Sequence, residues 1–260
     1  MSEDLVLFQQ EDGIGIITIN RPGALNALNP EVLKALENAL EKAERDEKVK
    51  VILITGSGEK AFVAGADIAE MSKMSPREAR EFSKLGQKVF RKIEQMEKPV
   101  IAVVNGYALG GGLELAISCD YILASENAQL GQPEVDLGIF PGFGGTQRLP
   151  RILGKLRAKE LIFWGERIPA QKALEIGLVN EVAPQDKLME RARELAKKLM
   201  SKGLIAIGLA KRAIEQGTDL DLDSGLLIEQ TLFSLCFDTQ DQKEGMKAFL
   251  EKRKPEFKVK

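Results

Sequence analysis

Histidine is absent from this 260-residue chain, and cysteine occurs only twice. The first absence excludes Ser-His and Cys-His nucleophile pairs and the usual histidine-rich zinc sites. Any proton transfer must fall to carboxylates, lysine, tyrosine or cysteine. Cys119 and Cys236 lie far apart in apolar surroundings and form no Cys-x-x-Cys pair, so neither a disulfide framework nor a metal site is expected. No apolar run is long enough to span a bilayer. The acidic start, Met1-Ser2-Glu3-Asp4, has neither a signal-peptide core nor an Arg-rich transit segment, so the expected location is cytoplasmic. Excess charge is missing too: 37 Lys and Arg against 39 Asp and Glu leave a net charge of −2. That gives no overall attraction for nucleic acid or acidic membranes. Only the tail is locally basic, at Lys252–Lys254, Lys258 and Lys260.

What is present is a regular alternation. Leu5–Gln10 and Ile14–Asn20 read as strands around the turn Glu11-Asp12-Gly13. Asn29-Pro30 reads as an N-cap followed by proline at the first helical position. Val32, Leu33, Leu36, Ala39, Leu40 and Ala43 continue it at helical spacing. Val49–Thr55 and Pro99–Val104 are apolar runs of the kind that strands buried on both faces require. A helix over Pro76–Glu97 separates them, and Cys119–Ala124 reads as a further strand. Strands alternating with helices predict a parallel sheet and an α/β fold. From Gln147 the pattern turns largely helical, with helices expected after Asp186 and over Ile205–Glu215, Gly225–Leu235 and Gln240–Arg253. The expected organisation is a catalytic core over residues 1–190 and a C-terminal helical region over 191–260.

The chemistry concentrates in two stretches. Gly106-Tyr107-Ala108-Leu109-Gly110-Gly111-Gly112-Leu113-Glu114 places glycines between a buried strand and a helix. There the first helical N–H groups lack intrahelical partners and can receive developing negative charge. Glu114 is a lone charge among apolar residues. Glu134 lies in the proline-stiffened stretch from Gly131 to Gly138. Burial disfavours an ionised carboxylate and can poise it for acid or base work.

Three blocks carry a resemblance: Phe62-Val63-Ala64-Gly65-Ala66-Asp67-Ile68, Asn105 through Glu114, and Gly131-Gln132-Pro133-Glu134 through Pro141-Gly142-Phe143-Gly144-Gly145-Thr146-Gln147-Arg148. In order and spacing they resemble the crotonase (enoyl-CoA hydratase) superfamily, and the likeness runs from Asn20-Arg21-Pro22 to Glu244–Phe249. The resemblance implies a spiral of ββα repeats with a helical C-terminal region, makes that region, 191–260, the oligomerisation region, and implies subunits assembled as a homohexamer from two trimers and an acyl-CoA thioester substrate. Coenzyme A is then part of the substrate, and no separate cofactor, metal, nucleic acid or membrane is implied.

By that likeness the Ala66 and Gly111 amides form an oxyanion hole, Glu114 activates the water that attacks C3, and Glu134 delivers a proton to C2. The Gly142 amide helps fix the water. Ala24, Leu25 and the segment Ala64, Ala66, Asp67, Ile68 and Ala69 line the coenzyme A portion. Phe249 and Lys252 match positions reaching the nucleotide of a neighbouring subunit. Many relatives carry lysine where this chain has Ala69, which removes one phosphate contact. Asp67 reads independently as a turn or capping aspartate, and Tyr107 as packing. Trp164, Met71 and Met74 are candidates to touch the acyl chain. Both glutamates together imply a hydratase. The alternatives are an enoyl-CoA isomerase and an RNA-binding relative. Against RNA binding, the segment Glu31–Lys50 carries five Lys or Arg against six Asp or Glu, so no basic stripe is expected.

Overall fold

The computed structural model describes residues 4–259, so Met1–Glu3 of the acidic start and Lys260 of the basic tail lie outside the described residues. The chain opens with an antiparallel hairpin, β1 (Val6–Glu11) and β2 (Ile14–Ile19), then helix α1 (Pro30–Arg45). Asn29 caps α1 as its spacing predicts: its Oδ1 accepts from the Val32 N–H at 2.9 Å, with Pro30 at the first helical position.

Three similar turns follow. The first is β3 (Val51–Gly56), β4 (Ala61–Val63), a short helix α2 (Ile68–Met71) and the long α3 (Pro76–Gln95). The second is β5 (Val100–Val104), β6 (Tyr107–Leu109) and α4 (Gly111–Ala116). The third is β7 (Tyr121–Ser125), β8 (Gln129–Gly131), a 3-10 turn at Pro133–Leu137 and α5 (Gly145–Trp164), which breaks at Gly154. Then come β9 (Arg167–Pro169), α6 (Ala170–Glu175), β10 (Glu181–Ala183), α7 (Leu188–Met200), α8 (Leu204–Gly217), α9 (Leu222–Cys236) and α10 (Gln240–Leu250).

Each turn gives its first strand to one sheet and its second to another. The larger sheet has the order β1-β2-β3-β5-β7-β10, parallel from β2 onward, and the smaller has the order β4-β6-β8-β9. This is the ββα spiral. Because β4, β6 and β8 are parallel neighbours, their C-terminal ends open side by side on one edge.

The two-residue period of the central strands divides the core. Ile52, Ile54, Val100, Ala102 and Val104 face α1, α3 and the smaller sheet, whereas Val51, Leu53, Ile101 and Val103 face α7. Small residues Ala192 and Ala196, one helical turn apart, let α7 lie close on that second face. The division at 190 therefore cuts a helix that belongs to the core, and the chain leaves the sheet only at α8. Asp186, expected to open α7, lies instead in a 3-10 turn before it.

Candidate active site

The smaller sheet's edge is where the sequence blocks meet. A cavity of about 560 Å³ is lined by Ala66, Gly111, Glu114, Glu134 and Gly142, among others. Its walls are apolar, from Ile68, Met71, Met74 and Phe82 on one side to Leu137, Ile139 and Phe140 on the other.

The second turn forms the floor. The backbone must pass so close to β4 that a Cβ on Gly112 would lie 1.9 Å from the Val63 carbonyl oxygen. That contact seats α4 with Gly111 at its first helical position, where no intrahelical acceptor exists for its N–H. Among the described residues, the amides of Gly111, Ala66 and Gly142 donate to no protein acceptor. Ala66 follows β4 and is held by its neighbours: Leu28 donates to the Gly65 carbonyl and Asp67 to the Leu28 carbonyl, both at 2.8 Å.

Glu114 is 1% exposed. Its Oε1 accepts from the Phe143 and Gly145 amides at 2.8 and 2.6 Å. Gly144, between them, has φ +117°, the left-handed conformation that turns successive N–H groups to one side and makes an anion-holding nest. Burial pushes the Glu114 carboxyl up to about 7, against the opposing pull of these amides and of Arg148. Burial, and then the charge of Glu114, push Glu134 up to about 8. Glu134 is raised the further of the two, so when the pair shares a single proton the amide nest favours its lying on Glu134.

Gln132, fully buried, is a site residue the sequence reading passed over. Oriented by its neighbours, its amide nitrogen donates to Oε1 and Oε2 of Glu134 at 2.9 and 3.0 Å. A glutamine two residues before an acid has no period to betray it; only its place in the Gly131–Glu134 block was a signal.

The other expected residues divide. Gly142 lines the cavity with its amide free, but its carbonyl accepts from Ser83 Oγ at 2.6 Å and Gln87 Nε2 at 3.0 Å. Ala64 and Ile68 line the cavity, whereas Ala24, Leu25, Asp67 and Ala69 do not; Ala64 donates to the Leu25 carbonyl at 3.1 Å, joining the two segments. Asp67 caps α2 and pairs with Arg21 at 3.1 Å. Its lining role is not needed to explain it. Met71 and Met74 line the wall; Trp164 is 66% exposed and does not. Tyr107 stands under the Arg167 guanidinium, 5.5 Å from its ring centre. Phe249 and Lys252 are exposed at the end of α10 and do not line the cavity. Among the described residues no cluster of His, Cys, Asp and Glu is placed to hold a metal ion, and no helix is long and apolar enough to cross a membrane.

A ββα spiral whose strand ends converge on a buried carboxyl, a half-buried one and free amides defines a crotonase-type fold. The chain belongs to the enoyl-CoA hydratase/isomerase family, whose model matches residues 9–260. It is 52% identical over 257 residues to the crotonyl-CoA hydratase of Syntrophomonas wolfei, covering 99% of each chain. It is 53% identical to the short-chain-enoyl-CoA hydratase of Clostridium acetobutylicum over 251 residues, 96% of each. Among solved structures, the enoyl-CoA hydratase of Bacillus anthracis superposes with a TM-score of 0.94 at 43% identity, over 98% of this chain and all of that one.

Proposed function

We propose that this protein is an enoyl-CoA hydratase that adds water reversibly and syn across a trans-2-enoyl-CoA, with Glu114 as base and Glu134 as acid. The observation that carries the residue assignment is the pair itself, one carboxyl buried and the other half-buried in the same cavity. Glu114 accepts from two amides that pull against the burial raising it to about 7, and Glu134 is raised further, to about 8, by burial and its neighbour's charge.

With the thioester carbonyl against the Ala66 and Gly111 amides, C3 is electron-poor. Glu114 takes a proton from water as the oxygen bonds to C3. The π electrons shift toward the thioester oxygen, where the two amides receive the charge. Glu134 gives its proton to C2, and the electrons return. The substrate gains H and OH, and the pair ends with the proton on Glu114. That is the starting state for dehydration. Each transfer contributes about 10²–10⁴-fold. The amides receive the oxyanion and the carboxylates carry both protons, so this reading includes no cofactor.

The rest of the substrate falls to Ala24, Leu25 and Ala64–Ala69, with Phe249 and Lys252 serving the nucleotide bound to a neighbouring copy. The homohexamer is part of the proposal. It is supported by the C-terminal helices, which expose Leu222, Leu227, Phe233 and Phe249 and enclose an apolar hollow of about 860 Å³. In this reading the assembly region is α8–α10. A cytoplasmic location belongs to the same proposal and is compatible with two free thiols.

The test is hydration of crotonyl-CoA by Glu114→Gln and Glu134→Gln. Activity should fall at least about 100-fold in each while the variants fold and assemble as the parent does; retention of most activity overturns that residue's role. The wild-type rate should peak between about pH 7 and 8, since protonation disables Glu114 below and ionisation disables Glu134 above.

A further inference from the structure

Behind the site, away from the cavity, runs a chain of charges that the reaction as derived above does not use. Arg148, on the first turn of α5, meets Glu94 of α3 in a two-pronged pair. Its Nε donates to Glu94 Oε1, and its Nη2 donates to Oε2 at 3.1 Å. Both side chains are nearly buried, at 15% and 10% exposure. A third N–H of the guanidinium's five is also used: Nη1 donates to the Phe143 carbonyl at 2.9 Å. The guanidinium reaches that carbonyl only because residue 144 lacks a side chain; a Cβ there would lie 2.1 Å from Nη1.

The Phe143 carbonyl and the Gly144 N–H belong to one peptide group. That group lies between the two amides donating to Glu114, and the Gly144 N–H also draws on this carboxylate. A donor on the carbonyl side of a peptide polarises its N–H side, so Arg148 strengthens the nest from outside. The Phe143 side chain extends the link. Its ring stands edge-on to Phe82 and Phe90, at 5.0 and 5.7 Å. It also lies 3.1 Å from where a Cβ on Gly111 would be. Moving residue 143 therefore disturbs the carboxylate through its amide and the oxyanion donor through its ring.

We infer that Arg148, locked by Glu94, is a positioning residue that holds the 143–145 loop in register with both Glu114 and the Gly111 amide. This rests on Glu114 being the base. The charged groups around this assembly are few. Glu114 is faced by Glu134 from the 3-10 turn and by Arg148 from α5. Glu94 also accepts from Arg91, at 3.0 Å, and Arg91 reaches Glu215 of α8 at 3.0 Å. The Lys211–Asp120 pair, at 2.8 Å, completes the surroundings. Arg148 is the cation on the Glu114 side of this set, so removing it raises the pH at which Glu114 ionises.

The test compares Arg148→Met, Arg148→Lys and Glu94→Gln with Glu114→Gln, measuring kcat, KM and the pH dependence of kcat/KM for crotonyl-CoA hydration. Arg148→Met should lower kcat by about 10–100-fold with KM nearly unchanged, and move the acid limb up by about one pH unit. Arg148→Lys keeps the charge but not the fork, so kcat should fall while the acid limb stays in place. Glu94→Gln keeps an acceptor for the fork and removes the opposing charge, so the limb should stay or move down. Loss of stability alone would lower folded yield without moving the limb. Wild-type kcat and acid limb in Arg148→Met overturn the inference; should that variant fail to fold, wild-type kcat in Arg148→Lys together with an upward limb in Glu94→Gln does so. Near-abolished activity in Glu114→Gln alongside such results leaves the base assignment standing, whereas retained activity there overturns both.

Discussion

Replacing Glu134 by glutamine should make the protein more stable, and by an amount that grows with pH. The carboxyl is raised from 4.5 to about 8 by burial and by the charge of Glu114. Between those limits the folded chain keeps a proton that the unfolded chain releases, so folding is opposed by about 1.36 kcal/mol per pH unit above 4.5. At pH 5 that is under about 1 kcal/mol; at pH 7 it is about 3 kcal/mol. Glutamine avoids this cost but offers an N–H₂ where Gln132 needs an acceptor, a loss of about 1 kcal/mol. The net expectation is a gain of about 2 kcal/mol at pH 7 and none at pH 5. Urea unfolding of wild type and Glu134→Gln at both pH values, with m unchanged, measures the difference. A gain that is the same at both values, or a loss at pH 7, would refute the claim that this carboxyl is held protonated by its surroundings.

Three further outcomes are expected. Gly112→Ala, whose Cβ would meet the Val63 carbonyl oxygen at 1.9 Å, should destabilise by more than about 3 kcal/mol or prevent folding, read by its thermal midpoint. Met74 and Phe82 form the wall between the site cavity and a second cleft lined by Pro30, Lys34 and Arg77. Met74→Ala should join the two, raising kcat/KM for longer enoyl thioesters relative to the four-carbon one. Lys211 donates to the Ile93 carbonyl and to Asp120, both at 2.8 Å, tying α8 to the core. Lys211→Ala should cost about 1–3 kcal/mol in urea unfolding by leaving the Ile93 carbonyl without its donor and removing the tie to Asp120.

Much of this was legible from residue order because long elements announce themselves. The buried runs at 51–56 and 100–104, the hairpin at 6–19 and the capped α1 all carry several periods of pattern. The three-residue strands β4, β6, β8, β9 and β10 do not, since three residues hold barely more than one period of two. Their loss matters, because the smaller sheet is what gathers the site. Glu114 stood out as a charge in an apolar helix, and Glu134 through its block. Gln132 and Arg148 did not stand out, because an amide or a guanidinium becomes informative only when its partners, here Glu134 and Phe143, are brought from elsewhere in the chain.

The pairing of β4 with β6 sets a length scale. Val63 pairs with Ala108, and Ala66 and Gly111 each lie three residues beyond that pair. Adjacent strands stand about 4.8 Å apart. Two N–H donors that share one oxygen at about 2.9 Å each, converging at roughly the tetrahedral angle, have nitrogens about 4.7 Å apart. The gap between neighbouring strands is thus already the span of a two-donor cradle. In the proposed reading the two donors leave side-by-side strands, each exit turning at a single glycine, Gly65 at φ +118° and Gly110 at φ +50°.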